Sequence, residues 1–143
     1  MPVGLVVVSH SRALADAAVE LARGVLPGRD LAVEVAAGDV DGGPGTDATA
    51  IAAAVTAADG GDGVVVLMDL GSAVLAAETA LELVGADVRE RVVLSPAPLV
   101  EGLVGAAVVA AAGAARAQVA AEALRGLAAK QQHLSGGPAA DGG

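Results

Sequence analysis

Four short apolar runs rich in Val recur along the chain, each followed by a polar break and then by a longer segment whose apolar residues fall at helical spacing. The run at 3–8 (VGLVVV) is unbroken, the mark of a strand buried on both faces of a parallel sheet. After the break at 9–11, Leu14, Ala18, Leu21, Ala22 and Val25 recur at three and four, and Pro27 and Gly28 close the helix they predict over 12–26. A second strand is predicted over 31–36, then a loop rich in Gly and Asp over 38–45. Thr46 is the expected cap of the next helix, which carries Asp47 in its first turn and runs to about residue 58.

The second half repeats the alternation. A glycine turn at 60–63 leads into a fully apolar strand at 63–68, and the loop 69–72 leads into a helix carrying Val74, Leu75, Ala77, Leu81 and Val84 to about Gly85. A fourth strand is predicted over 91–95. Pro96 and Pro98 forbid a regular element directly after it, and two helices, over 99–112 and 115–134, complete the pattern. Strands alternating with helices at this spacing give an α/β fold, an open, mainly parallel sheet of about four strands with helices on both faces. One domain over 1–134 is expected, with 135–143 (SGGPAADGG) a disordered tail by composition.

Composition changes this picture in three places. The hydrophobic fraction of 55% would fit a membrane protein, but the longest weakly polar stretch, 103–115, is short of the roughly 20 residues a span requires. No basic leader precedes the apolar start, so a cytoplasmic protein with no membrane partner is expected. A net charge of -9 and the absence of Phe, Tyr and Trp disfavour nucleic acid, which needs clustered cations and stacking surfaces. A core of Ala, Val and Leu buries little area per residue, which favours self-association as added support.

In open sheets of this kind, ligands gather beyond the carboxyl ends of the strands, so the loops leaving them are where chemistry is sought. His10 lies in the break just past the first strand and Asp69 directly past the third. A histidine so placed is read equally as a reactive group or as a hydrogen-bonded structural one. If the two strands are neighbours, Asp69 accepts one ring N–H, fixes the tautomer and leaves the other nitrogen as a nucleophile. Asp69 is also read as an acid at the start of the following helix, and both roles can coexist. Gly71 and Ser72 open that helix, where exposed N–H groups can hold a phosphate without a basic side chain; Ser11, before the first helix, can do the same from the other side. A tight turn with a capping serine is the plain alternative. His133, in the last turn of the final helix, reads as solvated. The chain has no lysine-bearing phosphate loop, no metal-ligand spacing and no serine-hydrolase elbow, so no cofactor is expected.

Four segments in order, VVVSHS at 6–11, GTD at 45–47, MDLGSA at 68–73 and APLVEG at 97–102, resemble the phosphotransferase subunits of phosphoenolpyruvate-dependent dihydroxyacetone kinases, whose first domain is similar to enzyme IIA of the mannose class. The resemblance implies that His10 is phosphorylated by an HPr-type phosphocarrier protein, with phosphate on Nε2 and Asp69 on Nδ1. It implies transfer to ADP held in a separate kinase subunit, and a homodimer. By the same likeness Ser11, Gly71, Ser72 and Ala73 would bind the phosphate, and Gly45, Thr46 and Asp47 would line the docking surface, with helix capping as the alternative for the last two. A chain ending after this first domain is expected to draw on separate carriers. The other readings are an enzyme IIA serving a sugar permease and a regulatory module switched by phosphorylation of His10.

Overall fold

The structure, a computed structural model, describes residues 2–136. The expected strands form as β1 (Gly4–Ser9), β2 (Val33–Ala37), β3 (Val64–Met68) and β4 (Val92–Ser95), in one sheet of order β2-β1-β3-β4. Every pairing is parallel. Parallel neighbours require crossovers, and the helices supply them: α1 (Arg12–Gly24), α2 (Ala48–Ala58), α3 (Ser72–Leu81), α4 (Ala86–Arg89), α5 (Leu99–Ala111) and α6 (Arg116–Leu134).

Alternation along the two central strands divides the core. Leu5 and Val7 of β1 and Val65 and Leu67 of β3 face α1, α5 and α6. Val6 and Val8 with Val64, Val66 and Met68 face α2 and α3. The helices meet these strands largely through alanine, as at Ala15, Ala18, Ala22, Ala106, Ala107 and Ala110, so they approach the sheet closely. Gly4 shows how closely: a Cβ there would stand 2.1 Å from the carbonyl oxygen of Ala58, the last residue of α2.

Two local features differ from the expectation. Asp47, and not Thr46, caps α2, its carboxylate accepting the Thr49 N–H at 3.0 Å. Both residue types cap well, and the carboxylate is also favoured by the helix dipole. The helix expected up to Gly85 stops at Leu81, and the four-residue α4 follows before β4. Arg89 of α4 reaches back to the Leu81 carbonyl at 2.7 Å, satisfying an acceptor that the end of α3 leaves open. The tail expected at 135–143 lies, from residue 137 on, outside the described residues. No helix among the described residues is long and apolar enough to cross a membrane.

Candidate functional site

Consecutive strands run outward from the centre of this sheet, β1 to β2 on one side and β3 to β4 on the other, so the direction of winding switches between β1 and β3. The register places Val8 beside Met68, and the Asp69 N–H continues the ladder to the Val8 carbonyl at 3.1 Å. His10 and Asp69 therefore leave adjacent strands at the same level.

One carboxylate organises the junction. Asp69 Oδ2 accepts the His10 backbone N–H at 2.8 Å, and Oδ1 stands 3.0 Å from His10 Nδ1. Burial pushes the Asp69 carboxyl up, but the His10 N–H, the imidazole and the Ser9 hydroxyl together hold it below the usual carboxylate range. An ionised carboxylate only accepts, so the network assigns the ring proton to Nδ1. Nε2 then carries the lone pair and faces the Ser72 hydroxyl at 2.8 Å. The histidine side chain keeps 25% of its surface exposed and Asp69 only 7%, so the ring is partly open to solvent while its carboxylate partner is enclosed.

The other residues singled out in the sequence divide into those that join this site and those spent on the fold. Ser72 joins it directly. Gly71 precedes α3 in helical conformation with no side-chain cap, leaving the N–H groups at the helix start directed outward. The Ala73 N–H instead closes a turn to the Leu70 carbonyl at 3.0 Å, and its methyl is buried. Ser11 caps α1, its hydroxyl accepting the Leu14 N–H at 3.2 Å, while its own N–H donates to Ser9 Oγ. The Gly45 N–H donates to the His10 carbonyl at 3.2 Å and so ties the 38–45 loop over the histidine. Asp47 is engaged in its cap and Thr46 is half-buried beside it.

Two clefts flank the histidine loop. One of about 210 Å³ is lined by His10, Ser11, Arg12 and Gly42–Pro44, the other of about 360 Å³ by Asp69 to Gly71 and the Ser95 to Leu99 segment. The glycines of the first belong to the segment that the sequence shows only as a loop rich in Gly and Asp. Asp39 orders them: its Oδ1 accepts the Asp41 and Gly43 N–H groups at 3.0 and 2.8 Å. Arg12 points to its own helix, 3.9 Å from Asp16. His133 lines a separate groove between α5 and α6 with Val104, Gly126 and Lys130. No group of three metal-ligating side chains occurs among the described residues.

The site is thus an imidazole held at Nδ1 by a buried carboxylate at the switch point of a parallel α/β sheet. The chain belongs to the EIIA-man family, the PTS system fructose IIA component, whose profile matches residues 4–120. It is 47% identical over 134 residues to the phosphoryl donor subunit DhaM of the PEP-dependent dihydroxyacetone kinase of Pantoea ananatis, an alignment covering 92% of this chain and 28% of that protein. The chain thus spans less than a third of the length of that relative. It is 35% identical over 106 residues to the phosphoryl donor subunit DhaM of PEP-dependent dihydroxyacetone kinase 2 of Listeria innocua, covering 74% of this chain and 84% of the relative. The crystal structure of EF1359, a protein of unknown function, superposes with a TM-score of 0.78 at 30% identity, covering 87% of this chain and 95% of that one.

Proposed function

We propose that the chain is a phosphohistidine carrier that accepts a phosphoryl group from an HPr-type phosphocarrier on Nε2 of His10 and passes it to ADP bound in the nucleotide subunit of a dihydroxyacetone kinase. The observation that carries the reading is the division of the imidazole between Asp69 on Nδ1 at 3.0 Å and an outward Nε2 under Ser72 at 2.8 Å. In the first step the Nε2 lone pair attacks phosphorus, a new N–P bond forms and the donor's N–P bond breaks. In the second a terminal oxygen of ADP attacks and Nε2 leaves with the electron pair, while the proton stays on Nδ1, hydrogen-bonded to the Asp69 carboxylate, throughout. The Ser72 hydroxyl turns from Nε2 to a phosphoryl oxygen, joined by the N–H groups of Gly71 and Ser72 at the start of α3 and, across the site, by Ser11.

The donor subunits among the relatives support the kinase as the acceptor. The remainder of the proposal is one carrier domain over 1–134, acting as a homodimer in the cytoplasm, with the 45–47 loop and its neighbours as the docking surface. The loop 69–73 contains no Lys or Arg, which suits a relay that must release its phosphate as readily as it takes it.

The test is the intact mass of the protein after incubation with phosphoenolpyruvate, enzyme I and HPr. An acid-labile phosphate present on wild type, absent from His10→Gln and discharged by the ADP-loaded kinase subunit is the expected result. Discharge to a sugar permease alone would move the chain to a transport system, and an unphosphorylated wild type would leave a binding module.

A further inference from the structure

Ser9 ends β1 wholly enclosed, and with Ser95 it makes up the buried polar residues among those described. Its hydroxyl lies 2.9 Å from the Ser11 carbonyl and 3.0 Å from Asp69 Oδ2, while its oxygen accepts the Ser11 N–H at 3.0 Å. One hydroxyl has one proton, so the two acceptors compete for it. The Ser11 carbonyl already receives the Ala15 N–H at 3.1 Å as the first bond of α1. Asp69 Oδ2 is the charged acceptor, and a charge-assisted bond is about twice as strong as a neutral one.

We infer that Ser9 is a positioning residue for His10: its buried hydroxyl donates to Asp69 Oδ2 and locks the carboxylate with Oδ1 on the Nδ1–H of the imidazole. The inference rests on the reading of His10 as the phosphoryl carrier and adds a member to that site. The His10 N–H and the Ser9 O–H converge on one carboxylate oxygen, so the other is left to the ring alone. A carboxylate freed from one of these donors can rotate, and Nδ1–H loses its advantage over Nε2–H. Ser9 touches neither the ring nor any reacting atom; it acts through Asp69. No bond is made or broken at Ser9 during transfer.

The experiment reads the tautomer of His10 directly, by nitrogen-15 NMR of histidine-labelled unphosphorylated protein at a pH where the ring is neutral, with His133 as the internal reference. In wild type the Nδ1–H form is expected to dominate. Ser9→Ala is expected to lower the ratio of Nδ1–H to Nε2–H about threefold to tenfold, a fraction of the worth of one charge-assisted hydrogen bond. Ser9→Thr, which keeps the hydroxyl, should restore the ratio, and Ser9→Cys, a weaker donor of similar size, should fall between; this pair keeps the test open if the alanine variant does not fold. In phosphoryl uptake Ser9→Ala should lower kcat and leave KM for the phosphocarrier unchanged. A folded Ser9→Ala or Ser9→Cys protein with the wild-type tautomer ratio would overturn the inference and leave Ser9 as packing. A wild type that never takes phosphate would overturn the carrier reading alone, because the tautomer readout needs no phosphate.

Discussion

At the scale of the residue, the site depends on which groups can give a proton and which can only take one. Asp69 takes three, from the His10 backbone N–H, the Ser9 hydroxyl and the imidazole Nδ1–H, and this asymmetry leaves the ring's lone pair on Nε2. Asp69→Asn keeps the shape but presents either an amide N–H or a neutral oxygen to Nδ1. Phosphoryl uptake should fall by about 10³-fold or more, the scale on which a wrong tautomer disables a histidine, measured by quenched-flow transfer from phosphorylated HPr. Ser72→Ala removes one donor to a charged phosphoryl oxygen, worth about 2 kcal/mol, and transfer should slow by about thirty-fold while the tautomer of His10 stays put. His10 and Asp69 were legible in the sequence because each stands in the polar break that follows an unbroken apolar run, where strand ends converge. Ser9 was not, because a serine at a strand end reads as the polar break itself; only its complete burial and its proximity to Asp69 set it apart. The cap of α2 was read one residue early, at Thr46 in place of Asp47, since both residue types cap and the choice rests on where the backbone turns.

At the scale of the element, small residues set the distances. Helices α5 and α6 pack through glycine: a Cβ on Gly126 would stand 2.6 Å from Glu101 Cβ and 3.1 Å from its carbonyl carbon, and one on Gly102 would stand 3.3 Å from the Ala123 carbonyl oxygen. The Lys130–Glu101 ion pair joins the same two helices and holds the Glu101 carboxyl below its usual range. Gly126→Ala should therefore cost about 1–3 kcal/mol through overpacking, despite the better helix propensity of alanine. Gly24→Ala is the control. It too is helical, but nothing lies within 4 Å of its missing Cβ, so it should gain about 0.5–1 kcal/mol. Urea unfolding of the two variants checks both signs, and phosphoryl uptake should be unchanged in each. The strands and long helices were legible because periodicity over ten or more residues is redundant. The four residues of α4 carry no period, and what holds them is the reach of Arg89 back to Leu81 and Val84, which only the fold reveals.

At the scale of the whole molecule, a carboxylate held below its usual range stands beyond each end of β3. Asp69 follows the strand. Asp59 precedes it, its carboxylate bonded to the Arg91 guanidinium at 2.6 Å ahead of β4. The five residues of β3 between them span about 16 Å. The Arg91 hydrogen bond, against the opposing effect of burial, holds the Asp59 carboxyl below 3.8; Asp69 is held down by the contacts around His10, also against its burial. A carboxyl depressed in the folded state contributes stability that is present above its unfolded value and is lost as the pH falls through the folded one. Both groups therefore withdraw support below about pH 4, and acid unfolding should be steepest there. Asp59→Asn and Asp69→Asn should each flatten that limb of the stability curve. Because the sites lie further apart than coupled neighbours, the double variant should equal the sum of the singles within about 0.5 kcal/mol. The two should part completely in activity: Asp59→Asn should carry phosphate at the wild-type rate, and Asp69→Asn should not. Urea titrations from pH 3 to pH 7, run beside phosphoryl uptake, decide the point. Uptake lost in a folded Asp59→Asn protein would mean that the amino end of the sheet is coupled to the site, so that β3 transmits and does not merely separate.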